Sequence, residues 1–211
     1  MNEPRKPLSQ ALIAVTAVRL IDEAEEDGFS MRSLARALNV DPMAIYRHLP
    51  NKDAVVRAAI DIVIGSCVLP AVSMPWQDRL RAICRAYRGL AVAHPGVFPL
   101  LCTRAGFVPN DYPILDACLS ALSEAGLSPE DTVRAASTFL GYAQGFALEE
   151  LTGTLRPLSD SEEREIRSLS ATDYPSIASL VDTLADADLD GEFEFGLAIM
   201  VAGIEQRVSE K

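Results

Sequence analysis

Hydrophobic residues between positions 30 and 52 are spaced so as to predict two short helices joined by a tight turn. Ser30 favours a helix N-cap, and Leu34 and Leu38 then lie one turn apart on one face. Asn39 tolerates the left-handed backbone that ends such a helix. The pattern therefore predicts a first helix that stops just before position 40.

The second helix of this pair has equally clear ends. Asp41 is a good N-cap, Pro42 suits the first helical position because its missing N–H is not needed there, and Pro50 ends the helix. Helices of about two turns are not stable alone. They must therefore pack on neighbouring helices through their apolar residues, which are Leu34, Leu38, Ile45 and Leu49. This arrangement predicts a helix-turn-helix.

The outer face of the second helix carries groups that could contact a base edge or a phosphate. These are Met43, Ala44, Tyr46, Arg47 and His48. Asn51 can cap a further helix, with Lys52 at its start. The segment therefore predicts binding to duplex DNA.

Helical spacing of apolar residues continues along the rest of the chain, and no alternating strand pattern or internal repeat occurs. The predicted further helices span about 8–26 (ended by Gly28), 51–67, 76–93, 112–125, 128–151, 177–184 and 192–208, and a short apolar segment spans 97–101. The polar segment 152–174 is predicted to be a mobile loop. The fold class is therefore all-α, with an N-terminal three-helix helix-turn-helix domain joined by a fourth helix to a larger helical domain.

Composition fits a protein with a sizeable core, because 49% of the 211 residues are hydrophobic. No apolar run approaches the roughly 18 residues of a membrane span. The first ten residues are polar and contain two prolines, which does not suit an export signal. We therefore expect a cytoplasmic protein with no membrane partner.

The net charge of −11 is unevenly distributed. Residues 1–60 contain eight Lys and Arg residues and eight Asp and Glu residues, whereas residues 61–211 contain 11 cationic and 22 anionic residues. A neutral module with local cations, attached to an acidic body, suits duplex binding through one face. It does not suit a general nucleic-acid coat, which needs positive charge throughout.

Signals for catalysis, cofactors or metals are weak. The sequence contains no nucleophile elbow, P-loop, dinucleotide fingerprint or paired metal-binding cysteines. The four cysteines lie 16 to 18 residues apart and are expected to be reduced core residues. Cys102, two residues before Arg104, is the one candidate for a thiol sensor. We therefore predict a non-enzyme with no cofactor and no metal.

Three consecutive stretches near the N-terminus carry a family resemblance: S-M-R-S-L-A-R-A-L-N-V, D-P-M-A-I-Y-R-H-L and N-K-D. They resemble the tetracycline-repressor family of bacterial transcription regulators. The resemblance extends over the full length, through Trp76 at the start of the fifth helix, the stretch G-Y-A-Q-G-F-A-L-E-E and the closing helix F-E-F-G-L-A-I-M-V-A-G-I-E. It implies a homodimeric repressor that releases a palindromic DNA operator when a small molecule enters the C-terminal domain.

The resemblance also implies domains and DNA contacts. Residues 1–50 would be the DNA-binding domain, 51–68 the connecting helix and 69–211 the ligand-binding and dimerisation domain. Phosphate contacts would come from Tyr46, His48 and Lys52. Base or backbone contacts would come from Arg32, Pro42, Met43, Ala44 and Arg47. Because Met43 and Ala44 are apolar, hydrogen-bonded base recognition would depend on Arg32 or Arg47.

The C-terminal domain departs from family members that bind tetracycline with a metal. Those members use a histidine after the fifth helix and polar residues on helices four, five and seven. This chain places Leu100, Val68, Ile83 and Cys118 at those points, although Thr103 and Glu149 are retained. The resemblance therefore implies a small hydrophobic or aromatic effector rather than metal-bound tetracycline. The predicted ligand contacts are Ile83, Tyr87, Leu100, Thr103, Cys118, Phe139, Tyr142 and Phe146.

The leading hypothesis is thus a ligand-responsive, homodimeric DNA-binding repressor. One alternative is a DNA-binding regulator controlled by a protein partner or by thiol oxidation. A second is a helical binding protein that has lost DNA binding. Binding to the DNA upstream of its own gene separates the second alternative from the other two.

Overall fold

The computed structural model describes residues 7–23, 29–104, 106–186 and 188–210, and these ranges contain helices and no strand. The helices are α1 Gln10–Asp22, α2 Met31–Leu38, α3 Pro42–Tyr46, α4 Lys52–Gly65, α5 Trp76–Ala93, α6 Phe98–Thr103, α7 Asp111–Glu124, α8 Pro129–Leu151, α9 Asp160–Arg167, α10 Pro175–Ala185 and α11 Leu189–Ser209. The all-α prediction is confirmed. The predicted end of the first helix, at 24–28, lies outside the described residues.

The caps predicted for the helix-turn-helix are present. The Ser30 side chain accepts a hydrogen bond from the Ser33 N–H at 3.0 Å. Asn39 ends α2 with φ 53°, in the left-handed region. Asp41 Oδ1 accepts from the Met43 N–H at 2.8 Å at the start of α3. Local hydrogen bonds therefore fix both ends of the turn, while packing fixes its angle.

Helices α1, α2, α3 and α4 share one small core. Its fully buried side chains include Ile13, Leu34, Ile45 and Val55, one from each of the four helices. α4 packs along α1 and continues towards the larger domain. The three N-terminal helices thus share a core with α4, which leads to the larger domain.

A second connection joins α1 to the larger domain at the loop between α5 and α6. One carboxylate oxygen of Asp22 accepts from the N–H groups of Gly96 (3.0 Å) and Val97 (3.1 Å), and the other lies 2.8 Å from His94 Nδ1. A Cβ on Gly96 would lie 2.2 Å from the Ile21 carbonyl oxygen, so only glycine allows this approach. The end of α1 and the start of α6 therefore form one contact.

The larger domain is built on α5, α7 and α8, which pack against one another. Its fully buried residues include Leu80, Cys118, Leu122 and Phe139. α11 lies against α8 through its own buried stripe of Phe193, Leu197 and Val201. No helix in the described residues is long and apolar enough to cross a membrane.

The segment predicted to be a mobile loop contains α9, so that prediction is wrong. The Ser159 N–H donates to Glu162 Oε2 at 2.8 Å, and Ser159 in turn accepts from the Glu162 N–H at 3.4 Å. Arg167 pairs with Glu163 one turn earlier. None of the α9 residues is buried. Capping and ion pairs stabilise this helix locally, and a search for an apolar face cannot detect them.

Candidate DNA-binding face and ligand cavity

The outer face of α3 is the exposed side of the helix-turn-helix. Ile45 points into the core, whereas the Met43 side chain is 64% exposed and Tyr46 is also exposed. Arg32 on α2 and Arg47 after α3 are exposed on the same module. Pro42, Ala44 and His48 are partly buried. All eight predicted DNA contacts, Lys52 included, therefore keep some exposed surface.

The start of α4 adds a cation beside this face. Asn51 caps α4 by accepting from the Ala54 N–H at 2.7 Å. Lys52, the first residue of α4, is exposed, and its Nζ lies 5.6 Å from the centre of the Phe29 ring. The positive end of the helix dipole and the ammonium group favour an anion at the same place. Gln10 Nε2 donates to the His48 carbonyl oxygen at 2.8 Å, which ties α1 to the end of α3.

A cavity of about 630 Å³ lies in the larger domain and reaches α4. Its apolar wall comes from α4, α7 and α8, through Ile60, Ile64, Ile114, Leu115, Leu119, Ala136 and Leu140. Tyr87 of α5 closes one side and packs edge-on against Phe98, with ring centres 6.0 Å apart. This volume suits a small organic molecule.

Few polar groups face the cavity, and they come from different helices. They are Arg57, Arg104, Asp111, Ser137 and Gln144. Arg57 Nη2 donates to the Phe107 carbonyl oxygen at 2.8 Å, and Gln144 Nε2 donates to the Cys102 carbonyl oxygen at 3.4 Å. Burial raises the pKa of Asp111, while the Val108 N–H that the carboxylate accepts acts in the opposite direction. The cavity is thus mainly apolar with a charged edge.

Known proteins resemble the chain over both domains. Residues 13–59 match the sequence model described as bacterial regulatory proteins, tetR family, and residues 69–208 match the tetracyclin repressor-like C-terminal domain. The tetracycline repressor protein class A from transposon 1721 of Escherichia coli is 31% identical over 195 residues, which cover 90% of this chain and 88% of that protein.

A second relative, an HTH-type transcriptional regulator of Saccharopolyspora erythraea, is 30% identical and covers 94% of this chain and 86% of its own length. The structure of the Streptomyces coelicolor TetR family protein ActR in complex with actinorhodin superposes with a TM-score of 0.85 at 28% identity. It covers 96% of this chain and 99% of that one. This chain belongs to the tetR family of bacterial regulatory proteins. It is a ligand-responsive transcriptional repressor of that family.

Of the eight residues predicted to contact a ligand, Tyr87 lines the cavity of this family member and the other seven do not. Cys118 and Phe139 are fully buried in the core between α5, α7 and α8. Ile83 is also buried and borders a smaller cavity of about 300 Å³ beside Arg79. These three residues face the interior because the cavity is formed by different faces of the same helices.

Helix register explains the difference on α7 and α8. Leu115 and Leu119 of α7 line the cavity, whereas Cys118, about 60° from Leu115 and about 100° from Leu119 around the helix, packs inward. On α8, Leu140 and Gln144 line the cavity. Both faces of these helices carry apolar residues, so the spacing of apolar positions alone does not identify the cavity side.

Tyr142 and Phe146 belong to an aromatic cluster between α8 and α11. The Tyr142 ring stacks on Phe193 with centres 5.4 Å apart, and Phe146 meets the same ring edge-on at 5.1 Å. The Tyr142 hydroxyl donates to the Phe193 carbonyl oxygen at 3.1 Å. These aromatic residues hold α11 against α8.

The two predicted residues of α6 also lie outside the cavity wall. Leu100 is partly buried against the core, and the exposed Thr103 hydroxyl donates to the Pro99 carbonyl oxygen at 2.9 Å. Their neighbours Leu101 and Cys102 line the cavity instead. Thr103 is therefore engaged with its own helix, and the polar groups at the cavity are those of Arg57, Arg104, Asp111, Ser137 and Gln144.

The cysteines are poorly suited to a thiol sensor. Burial raises the pKa of Cys102 to about 11 and that of Cys118 to about 12. Burial also raises the pKa of Cys67 and Cys84. Because the thiolate is the reactive form, a thiol with so high a pKa reacts slowly near neutral pH. These pKa shifts disfavour regulation by thiol oxidation.

Proposed function

We propose that the protein acts as a homodimer that binds a palindromic operator through residues 30–52 and leaves it when a hydrophobic or aromatic compound enters the cavity. The observation that carries this proposal is the path of α4. Lys52 at its N-terminus lies beside the predicted DNA-binding face, and Ile60 and Ile64 further along the same helix line the cavity. A ligand that moves one end of a rigid helix also moves the other.

The similar structures support a ligand-binding role for the larger domain. Two structures of ActR are complexes with small molecules, one with actinorhodin and one with (S)-DNPA. In this chain the cavity wall is mostly apolar, so affinity for an effector would come mainly from burial of apolar surface. An effector that favours a subunit arrangement unable to fit the operator shifts the population away from DNA.

On the operator, the proposed roles follow from exposure and chemistry. Arg47 and Arg32 would read base edges, because a guanidinium can donate two hydrogen bonds to guanine. Tyr46, His48 and Lys52 would hold phosphates. The partly exposed Pro42, Met43 and Ala44 would pack against thymine methyl groups or the backbone.

The proposed dimer rests on the two faces of α11. Phe193, Leu197 and Val201 are buried inside the chain, whereas Phe195 and Ile199 on another face are 68% and 56% exposed. On α8, a Cβ built on Gly145 meets no other atom within 4 Å in the described residues. A second copy of α8 and α11 would cover these faces as a four-helix bundle, which fits the two-fold symmetry of a palindromic operator.

The ligand part of the proposal is tested by filling the cavity. Leu140→Trp adds bulk to its wall, whereas Ser123→Trp places the same side chain at an exposed position that does not line it. In gel-shift assays with the DNA upstream of the gene, both variants should bind the operator as wild type does. A compound that releases the wild type and Ser123→Trp should fail to release Leu140→Trp. Equal release of all three proteins would place the effector elsewhere.

The dimer is tested by light scattering at micromolar concentration. Wild type should have twice the 22.8 kDa mass of the chain. Ile199→Glu places a charge on the exposed apolar face of α11 and should yield monomers that bind the operator weakly, because each recognition helix then acts alone. A monomeric wild-type protein would overturn both the dimer and the palindromic operator.

A further inference from the structure

The charged edge of the cavity contains a guanidinium whose hydrogen-bonding capacity is only partly used. Arg104 follows α6 and lines the cavity, and its Nη1 forms an ion pair with Asp53 in the first turn of α4. Its Nε is buried and has no hydrogen-bond partner among the described residues. The Nε is closed to solvent, but the Arg104 side chain as a whole is 32% exposed, so a ligand in the cavity reaches this guanidinium through its terminal N–H groups.

The other charged groups at this edge already form hydrogen bonds with backbone groups of the chain. Arg57 donates to the Phe107 carbonyl oxygen. The Asp111 carboxylate accepts from the Val108 N–H at 2.7 Å and so caps the loop before α7. Asp53 is the partner most easily replaced, because its side chain is 64% exposed and water can solvate it. The cavity edge thus presents two guanidinium groups and one carboxylate of its own.

We propose that the effector carries an anionic group, such as a carboxylate or a sulfonate, on its hydrophobic body. The anion accepts from the terminal N–H groups of Arg104 and so competes with Asp53, which pairs with Nη1 of the same guanidinium. A guanidinium offers five donors in a plane and binds planar anions through two parallel hydrogen bonds. This inference rests on the proposed function, since it names the chemical class of the molecule that enters the same cavity.

The same ion pair offers a route from the cavity to DNA. Asp53 directly follows Lys52, and both belong to the first turn of α4. An anion bound to Arg104 weakens the ion pair between Arg104 and Asp53, which anchors the first turn of α4. The position of Lys52, the proposed phosphate contact, changes as a result. By thermodynamic linkage, any change that loosens Asp53 from Arg104 must favour the anion to the same extent.

Two fluorescent probes of matched shape test the charge requirement. Anilinonaphthalene sulfonate carries an anionic group, and N-phenylnaphthylamine is the same ring system without it. Arg104→Gln should lower the affinity of the full-length protein for the sulfonate about tenfold, as expected for the loss of a charged hydrogen bond, and leave affinity for the neutral amine within about twofold. The control is Arg134→Gln, an exposed α8 arginine paired with Glu130, which should change neither affinity.

Two further variants complete the test. Arg104→Lys keeps the charge but lacks the planar pair of terminal donors, and it should bind the sulfonate with intermediate affinity. Asp53→Asn removes the competing carboxylate and should bind the sulfonate several times more tightly than wild type. Weaker sulfonate binding by Asp53→Asn would overturn the competition with Asp53.

The remaining outcomes separate this inference from the proposed function. Equal losses of both probes in Arg104→Gln, or no loss of either, would show that Arg104 does not recognise the anion and would overturn the inference. If wild type binds the amine but not the sulfonate, and Leu140→Trp blocks the amine, the cavity remains a ligand site and only the anionic class is wrong. If neither probe binds wild type, the cavity is not the proposed ligand site, and both the ligand part of the proposed function and this inference are overturned.

Discussion

The arginines of the helix-turn-helix and those of α5 are used in different ways. The side chains of three arginines of the DNA-binding module make no hydrogen bond or ion pair in the described ranges, namely those of Arg32, Arg36 and Arg47. Each arginine of α5 pairs with a carboxylate, namely Arg79, Arg81, Arg85 and Arg88. Three of the α5 arginines pair with a carboxylate of another helix, whereas the three arginines of segment 30–52 remain available to an outside anion. Net charge alone conceals this division.

Arg88 is the most fully engaged cation of the larger domain. Its Nε and Nη2 donate to the two oxygens of Glu150 on α8 at 2.7 and 2.8 Å, and its Nη1 donates to Asp190 on α11 at 2.8 Å. The guanidinium carbon lies 5.2 Å from the centre of the Phe146 ring and 4.9 Å from that of Phe193. One side chain therefore joins α5, α8 and α11.

The largest predicted effect of a substitution is at Arg88. Arg88→Ala should lower the free energy of unfolding by about 2–4 kcal/mol, because it leaves the partly buried Glu150 without its cation and removes two cation–π contacts. Urea denaturation at one fixed protein concentration measures the change. Arg85→Ala is the matched control on the same helix. Its pair with Glu194 is exposed and should contribute less than about 1 kcal/mol. Equal losses of unfolding free energy in the two variants would show that the partly buried pair of Arg88 contributes no more than the exposed pair of Arg85.

The helix-turn-helix could be predicted from sequence because its determinants are local. Ser30, Asn39 and Asp41 act on backbone groups within three residues of themselves. The apolar residues Leu34 and Ile45 then have a single core to enter. Sequence reasoning therefore found the starts of both helices, the end of α2 and the buried faces, whereas α3 ends at Tyr46, four residues before its predicted end at Pro50.

The cavity could not be predicted in the same way, because it depends on long-range packing. α7 and α8 are apolar on more than one face, so the spacing of Cys118 and Phe139 does not reveal that they pack into the core. Arg57 and Arg104 meet the cavity from segments 47 residues apart. A long-range contact of this kind leaves no periodic signal in the sequence. Helix α9 could not be predicted from apolar spacing either, because its charged residues form no apolar face.

The next largest effect concerns the unpaired arginine at the end of α3. Arg47→Ala should weaken binding to the operator by about 1–3 kcal/mol if Arg47 reads a guanine, and it should weaken binding to random duplex much less. Stability should stay within about 0.5 kcal/mol of wild type, since Arg47 is exposed and pairs with no described residue. Fluorescence anisotropy with both duplexes measures the difference.

The control for Arg47 is Arg36→Ala. Arg36 is also exposed and unpaired among the described residues, but it is not among the predicted DNA contacts. It should change binding to both duplexes little. Equal losses on operator and random DNA for Arg47→Ala would assign Arg47 to the phosphate backbone instead of the bases.

The smallest predicted effect is at Lys52, where a cation meets a phosphate without reading sequence. Lys52→Ala should weaken binding to operator and random duplex alike, and the slope of log K against log salt should become shallower by about 0.9, because one fewer counterion is released. Lys52→Arg keeps the charge and should keep the slope. A loss of affinity with an unchanged slope would instead point to the contact of Lys52 with the Phe29 ring. Lys52 would then act by holding the start of α4 in place, in the way the α5 cations hold helices together.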